Sequence, residues 1–223
     1  MKRNGIGLAA MLAALLLSAC AVQQEPYDYT AFKQSNPRSI LVLPPMNDSP
    51  DVNASNGMLA KSVVPLAESG YYVFPIAVVK ETFQQNGLSD PGDIHQISSE
   101  RLNKIFGADA VLYIKVKEYG SSYQVIQSKT QVTAEATLVD GKTGQMLWQG
   151  EATASDAGQN QQQNSLIGAL VNAVINQVVN NLSDKSYDVA GFTANRLLQA
   201  GGNKGLLYGP RSKMYWQNQL PAQ

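Results

Sequence analysis

Apolar and polar positions follow two regimes along the chain, and the change between them predicts the fold. In the first regime, short apolar blocks alternate with helical spacing. Ser39-Ile40-Leu41-Val42-Leu43 is an unbroken apolar run halted by Pro44-Pro45, as expected of a buried strand that stops abruptly. Met58, Leu59, Val63, Leu66 and Ala67 recur at helical spacing, with Pro65 marking a kink and Gly70 a stop. Tyr71-Tyr72-Val73-Phe74 reads as a second strand before Pro75, and Val78 to Gln85 as a short helix closed by Gly87. Ser98 and Ser99 cap a helix running from Glu100 through Leu102, Ile105 and Phe106 to Gly107, and Ala110 to Val116 is a strong strand. In the second regime, Tyr123 to Ser155, the period becomes two. Val132, Ala134, Ala136 and Leu138 fall in step on one strand, Met146, Trp148, Gly150 and Ala152 on the next, and the loop Asp140-Gly141-Lys142-Thr143-Gly144 joins them. Helix-linked strands followed by a meander predict an α/β (α+β) fold, a mixed sheet with helices packed on it.

Beyond the polar stretch Gly158 to Asn164, a helix is predicted over Ser165 to Leu182. Leu170, Val174 and Val178 belong to its wide apolar face, and Asn172, Asn176, Gln177 and Asn180 form its polar stripe. Such a face needs a partner. Packing on the sheet and an interface with a subunit or partner both satisfy it, whereas the asparagines weigh against membrane insertion. A last helix spans Val189 to Gln199 and ends at Gly201-Gly202, before a tail, Leu206 to Arg211, that reads as a turn.

The first twenty residues have a different purpose. Met1-Lys2-Arg3, an apolar stretch ending at Leu17, and Ser18-Ala19 before Cys20 make a secretory signal too short to span a bilayer. Leu17-Ser18-Ala19-Cys20 resembles the bacterial lipobox, and the chain's single cysteine occupies its acceptor position. The resemblance implies a diacylglycerol on Cys20, cleavage before it and N-acylation after. Several acyl chains on one residue anchor nearly permanently, since each buried methylene contributes about 0.8 kcal/mol. Ala21 in place of Asp favours the outer membrane by resemblance to enterobacterial sorting, with the domain facing the periplasm. The expected organisation is a signal peptide over 1–19, a lipidated Cys and flexible tether over 20–37, and one α/β domain over 38–223. Removing residues 1–19 from the 223 takes Lys2 and Arg3 from 17 basic groups set against 17 acidic ones, so the mature charge is −2.

Composition narrows the function classes. With 44% hydrophobic residues a chain of this length can build a core without staples, and balanced charge argues against nucleic acid as a partner. One Cys and one His leave no disulfide framework and no Cys/His zinc site, so neither cofactor nor metal is expected. His95, in Gly92-Asp93-Ile94-His95-Gln96, is the only imidazole and reads as a surface loop residue. Gly141-Lys142-Thr143 imitates the end of a phosphate loop, but the required earlier glycine would fall at Ala136. Asp48 and Asp51, with Asn47 and Asn53, do not reproduce a calcium-loop ladder. Asp140 reads as a turn former. Trp148 is expected as a core anchor or else an interface residue, and Arg211 either locks the tail to a carboxylate or lies exposed in a recognition loop. Tyr208, Tyr215 and Trp216 add an aromatic tail suited to contacts.

Three segments bear a family resemblance. Leu138 to Gly150 is similar to the hairpin of curli-secretion-channel-type and penicillin-binding-protein-activator-type lipoproteins, and Ile40 to Pro44 and Gly107 to Leu112 look like their first strand and helix-to-strand junction. The whole mature chain, including Leu207-Tyr208-Gly209-Pro210-Arg211, resembles the lipoprotein family typified by a meningococcal vaccine-candidate antigen. That resemblance implies a fold like the N-terminal domain of the Tol-system propeller protein. It further implies an outer-membrane lipoprotein with no established activity, often encoded beside other envelope lipoproteins including a curli-channel-like one. Such lipoproteins, or a second copy in a homo-oligomer, are the partners expected of an adaptor. Two functions follow as expectations. One is a non-enzymatic accessory or adaptor of an envelope complex, with Leu170, Val174, Val178, Trp148 and Arg211 as candidate interface. The other is a small-molecule-binding or hydrolytic lipoprotein with a pocket near Asp48, His95 and Arg211.

Overall fold

Two adjacent prolines decide where the first strand ends. In the computed structural model, which describes residues 27–123, 128–156 and 185–219, a short helix α1 (Thr30–Ser35) leads into β1 (Ser39–Val42). Pro44-Pro45 has no N–H to give a ladder, so pairing lapses and resumes as β2 (Met46–Asn47). Helix α2 (Ala54–Glu68) crosses over to β3 (Tyr72–Val73), and α3 (Ile76–Gln85), α4 (Pro91–His95) and α5 (Ser99–Phe106) return the chain to β4 (Ala110–Tyr123). The long strands β5 (Ser128–Asp140) and β6 (Met146–Ser155) follow, then α6 (Lys185–Leu198) and a 3₁₀ turn at Tyr215–Gln219. The sheet order is β3-β1-β4-β5-β6, with β2 also on β4. Pairing is parallel for β3, β1 and β2 and antiparallel from β4 to β6, which gives the mixed α+β sheet expected.

Burial explains why the strands read differently in sequence. Ile40, Val42, Leu112 and Ile114 point into one layer, under Met58 and Leu66 of α2 and Val189, Ala194 and Leu198 of α6. Leu41, Leu43 and Val111 point into the other, under Val79 and Phe83 of α3, Ile94 of α4 and Leu102 of α5. A strand covered on both faces must be apolar at every covered position, as β1 is from Ile40 to Val42. On β5 the buried apolar positions are Val132, Ala134, Ala136 and Leu138, so that strand alternates, while β6 buries Leu147, Trp148 and Ala154. Their outer face presents Thr133, Glu135, Thr153 and Glu151 with Lys115 and Lys117 of β4. Lys117 bridges Glu135 at 2.6 Å and Glu151 at 2.9 Å.

Helix ends follow local chemistry. Ser98 accepts the Arg101 amide at 3.4 Å and Gly107 closes α5 at φ +73°. Pro65 sits inside α2 without ending it, and the chain turns only at Gly70, φ +96°.

Four expectations change. Residues 27–37, expected as part of a tether over 20–37, are packed: Phe32 of α1 is 3% exposed, and Tyr27 and Tyr29 lie against the core. Residues 91–95, read as a loop, form α4, capped by Asp90, whose carboxylate accepts the amides of Gly92 and Asp93. The second strand keeps only Tyr72 and Val73 of its four expected residues. Finally, β4 runs to Tyr123 and pairs with β5 beyond a register shift between Val116 and Glu118. That shift breaks the period-two pattern and hides the strand's full length. Among the described residues no helix is long and apolar enough to cross a membrane. The predicted helix Ser165 to Leu182, with Leu170, Val174 and Val178, lies outside them, as do Leu17, Ser18, Ala19 and Cys20.

Candidate functional site

The segments that bear the resemblance meet at one end of the sheet. Asp109 starts β4 and its Oδ2 accepts from the backbone N–H groups of Arg38 and Ser39 at 3.0 and 3.1 Å and from Ser39 Oγ at 3.0 Å, which joins β1 to β4. The β5–β6 turn docks beside it: Gly141 N–H donates to Asp109 O at 2.7 Å. A Cβ on Gly141 would lie 2.4 Å from Ala108 O, so only glycine fits there. Asp140 closes the turn as expected, its Oδ1 accepting from the amides of Lys142 and Thr143 at 2.9 and 2.8 Å. Its Oδ2 accepts from Ser35 Oγ at 2.6 Å, which ties α1 to the same point. Burial raises the Asp140 pKa, but the hydrogen bonds from Ser35, Thr143 and Lys142 outweigh it and hold the carboxyl below its ordinary range. These polar groups are engaged in closing the β5–β6 turn and in joining it, β1, β4 and α1 to one another.

The residues considered for chemistry are likewise engaged. His95 is not a free surface loop residue: it ends α4, is half-buried, and stacks edge-on to Tyr113 at 5.2 Å. Its Nε2 lies 2.9 Å from Pro44 O, and since a carbonyl can only accept, that nitrogen carries the proton. Burial pushes the imidazole pKa below its ordinary value, against a smaller rise from the Pro44 bond. Asp48 is exposed and pairs with Lys115 Nζ at 2.8 Å. Arg211 gives its backbone N–H to Gly70 O at 3.2 Å and holds its guanidinium 5.8 Å from the Tyr72 ring centroid, beside β3. The tail is therefore locked through backbone and ring instead of a carboxylate.

Two cavities among the described residues have linings that do not include Asp48, His95 or Arg211, near which a pocket was expected. A cavity of about 300 Å³ is lined by Pro44, Leu59, Lys80, Phe83 and Ile94 among others, and one of about 360 Å³ by Phe32, Lys33, Asn36, Tyr71, Tyr208 and Tyr215 among others. Trp148 is 1% exposed and its Nε1 donates to Lys204 O at 2.9 Å, so it anchors the core and is withdrawn from the candidate interface.

What the sequence reading missed is a strap that closes the chain's two ends on each other. Tyr29 Oη donates to Gly205 O at 2.5 Å, Tyr71 Oη to Leu207 O at 2.6 Å, and Tyr215 Oη to Asn36 Oδ1 at 2.6 Å. Gln149 N–H donates to Tyr27 Oη at 3.1 Å on β6, the last strand of the order β3-β1-β4-β5-β6. The legible signal was the close spacing of Tyr27, Tyr29 and Phe32, too many aromatics for a tether.

Comparison with known proteins agrees with this architecture. The sequence profile of the family described as "Putative lipoprotein GNA1162-like" matches residues 27–211. The protein named "Putative lipoprotein NMB1124/NMB1162", from Neisseria meningitidis serogroup B, is 54% identical over 212 residues, covering 95% of this chain and 97% of that one. The crystal structure of lipoprotein GNA1162 from Neisseria meningitidis matches with 54% identity and a TM-score of 0.54, covering 65% of this chain and all of that one. A PelC dodecamer from Paraburkholderia phytofirmans shares 12% identity at a TM-score of 0.42, over 74% of this chain and 89% of that one, too loosely to bear on this chain. On the profile match and the meningococcal identity, the chain belongs to the GNA1162-like lipoprotein family.

Proposed function

We propose that this protein is a lipid-anchored, non-enzymatic adaptor of the cell envelope, acylated on Cys20 after removal of residues 1–19 and held on the periplasmic face of the outer membrane. The observation that carries the reading is the engagement of its chemistry-bearing side chains in structure. His95 serves Pro44, Asp48 serves Lys115, and Asp109 and Asp140 serve the strand junction. Family membership supports the lipoprotein class, and the single cysteine supports Cys20 as the anchor. The adaptor surface is assigned to the apolar stripe of residues 165–182, with Leu170, Val174 and Val178 at its centre, and its partners are a second copy or other envelope lipoproteins, a curli-channel-like one included.

Crosslinking of the intact lipidated protein in its own envelope, read by mass spectrometry, tests this. Reproducible partners that disappear in a folded Leu170→Asp/Val174→Asp variant are the expected result. A folded monomer with no partner above background overturns the adaptor role. An intact mass lacking acyl groups on Cys20 overturns the anchor.

A further inference from the structure

We propose that the C-terminal strap is a second membrane contact, a face that rests on anionic phospholipid beside the anchor. The inference builds on the acylation of Cys20 proposed above. Charge is segregated along the mature chain: residues 189–223 hold Arg196, Lys204, Arg211 and Lys213 and no Asp or Glu, whereas 20–188 hold 11 basic groups against 17 acidic. The Arg196 guanidinium is spent on Thr153 O, but Lys204, Arg211 and Lys213 are exposed. Among them Met214 is 38% and Trp216 56% exposed. Basic groups interleaved with an exposed Trp suit the headgroup region, where the ring sits at the interface and each Lys or Arg adds attraction to anionic lipid.

Position supplies the second observation. The strap is joined to the start of the domain by Tyr215 to Asn36 and Tyr29 to Gly205, and to β6 by Trp148 to Lys204. Tyr27 is packed against the core, and the seven residues from Cys20 to it reach at most about 25 Å. The start of the domain is thus tethered close to the headgroups. Acidic groups near it are Asp28, which accepts the Thr30 amide, Asp140, which is held by Ser35, Asp109, which is held by Arg38 and Ser39, and the exposed Glu68, next to the Ser69 and Gly70 carbonyls that take the amides of Gly209 and Arg211.

The test uses the full mature chain, acylated, in phosphatidylglycerol/phosphatidylethanolamine vesicles whose acyl chains are brominated near the headgroup. Subtracting the fluorescence of Trp216→Phe isolates Trp216, since Trp148 is buried. The expected result is quenching of the Trp216 component, reduced in phosphatidylcholine vesicles and in Lys204→Glu/Lys213→Glu. A Trp216 component that stays unquenched while the protein floats with the vesicles overturns the inference, as does equal quenching in phosphatidylcholine. The Cys20→Ser chain separates the two readings. If the acylated chain floats no better than Cys20→Ser, the anchor fails, and the strap is judged on Cys20→Ser alone at high lipid. There, partition weakened at least about tenfold by the double charge reversal supports the strap. Partition unchanged by the reversal overturns it.

Discussion

At the scale of single residues, the hairpin and the strand-junction segments encode geometry. Gly141 shows this most sharply, because the backbone oxygen of Ala108 occupies the place its Cβ would take. Gly141→Ala must push the turn off the Gly107–Asp109 junction, and the expected loss is about 2 kcal/mol or more, read as a lower denaturant midpoint with unchanged slope. His95 gives a pH-dependent counterpart. Its folded-state pKa is depressed, so its contribution to stability is present above the ordinary imidazole value and is lost as pH falls through that value toward the folded one. An NMR titration should place its midpoint below that of a free histidine, and His95→Phe should flatten the change in Tm between about pH 7 and pH 5. A normal midpoint would contradict the burial seen against Tyr113 and Pro44. Asp140 runs on the acid side. With its pKa lowered, its stabilisation is present above the ordinary carboxylate range and vanishes as pH falls below it, so Asp140→Asn should show a shallower loss of Tm below about pH 4.

At the scale of elements, legibility in the sequence followed how much of each element is dictated locally. β1, α2, α5 and the β5–β6 hairpin were readable because hydrophobic period, caps and turn residues all agreed. α4 escaped although Asp90-Pro91 is a plain start signal, since five residues give no period to recognise. The far half of β4 escaped because Gly120, Ser121 and the register shift at Lys117 interrupt alternation, and only pairing with β5 makes those residues a strand. The exposed Lys117 bridges contribute little on their own. Lys117→Ala should change stability little, whereas Lys117→Glu, set beside Glu135 and Glu151, should cost more by like-charge repulsion. Chemical denaturation of both variants checks the ordering, and equal losses would mean that packing of the lysine stem decides the effect.

At the scale of the whole molecule, the candidate site dissolved for the same reason that the strap went unseen. Asp48, His95 and Arg211 were grouped by chemical type, while the fold distributes them to a salt bridge, a strand end and a tail lock. The strap depends on contacts 136 to 179 residues apart in sequence, such as Tyr71 to Leu207 and Tyr215 to Asn36, which no local pattern encodes. This makes the start of the domain testable. A chain beginning at residue 27 keeps Tyr27, Tyr29 and Phe32 and should melt at the Tm of the mature protein. A chain beginning at residue 38 loses a nearly fully buried Phe, the Tyr29 bond to Gly205 and the Ser35 bond to Asp140. Truncating a buried Phe costs about 3–5 kcal/mol and each lost hydrogen bond about 1 kcal/mol, which together approach the whole stability of a domain of this size. The shorter chain should therefore fail to show a cooperative melt, while the longer one melts sharply. If both melt alike, residues 27–37 are a tether after all, and the strap would have to hold by the contacts of Tyr71, Trp148 and Gly70 alone.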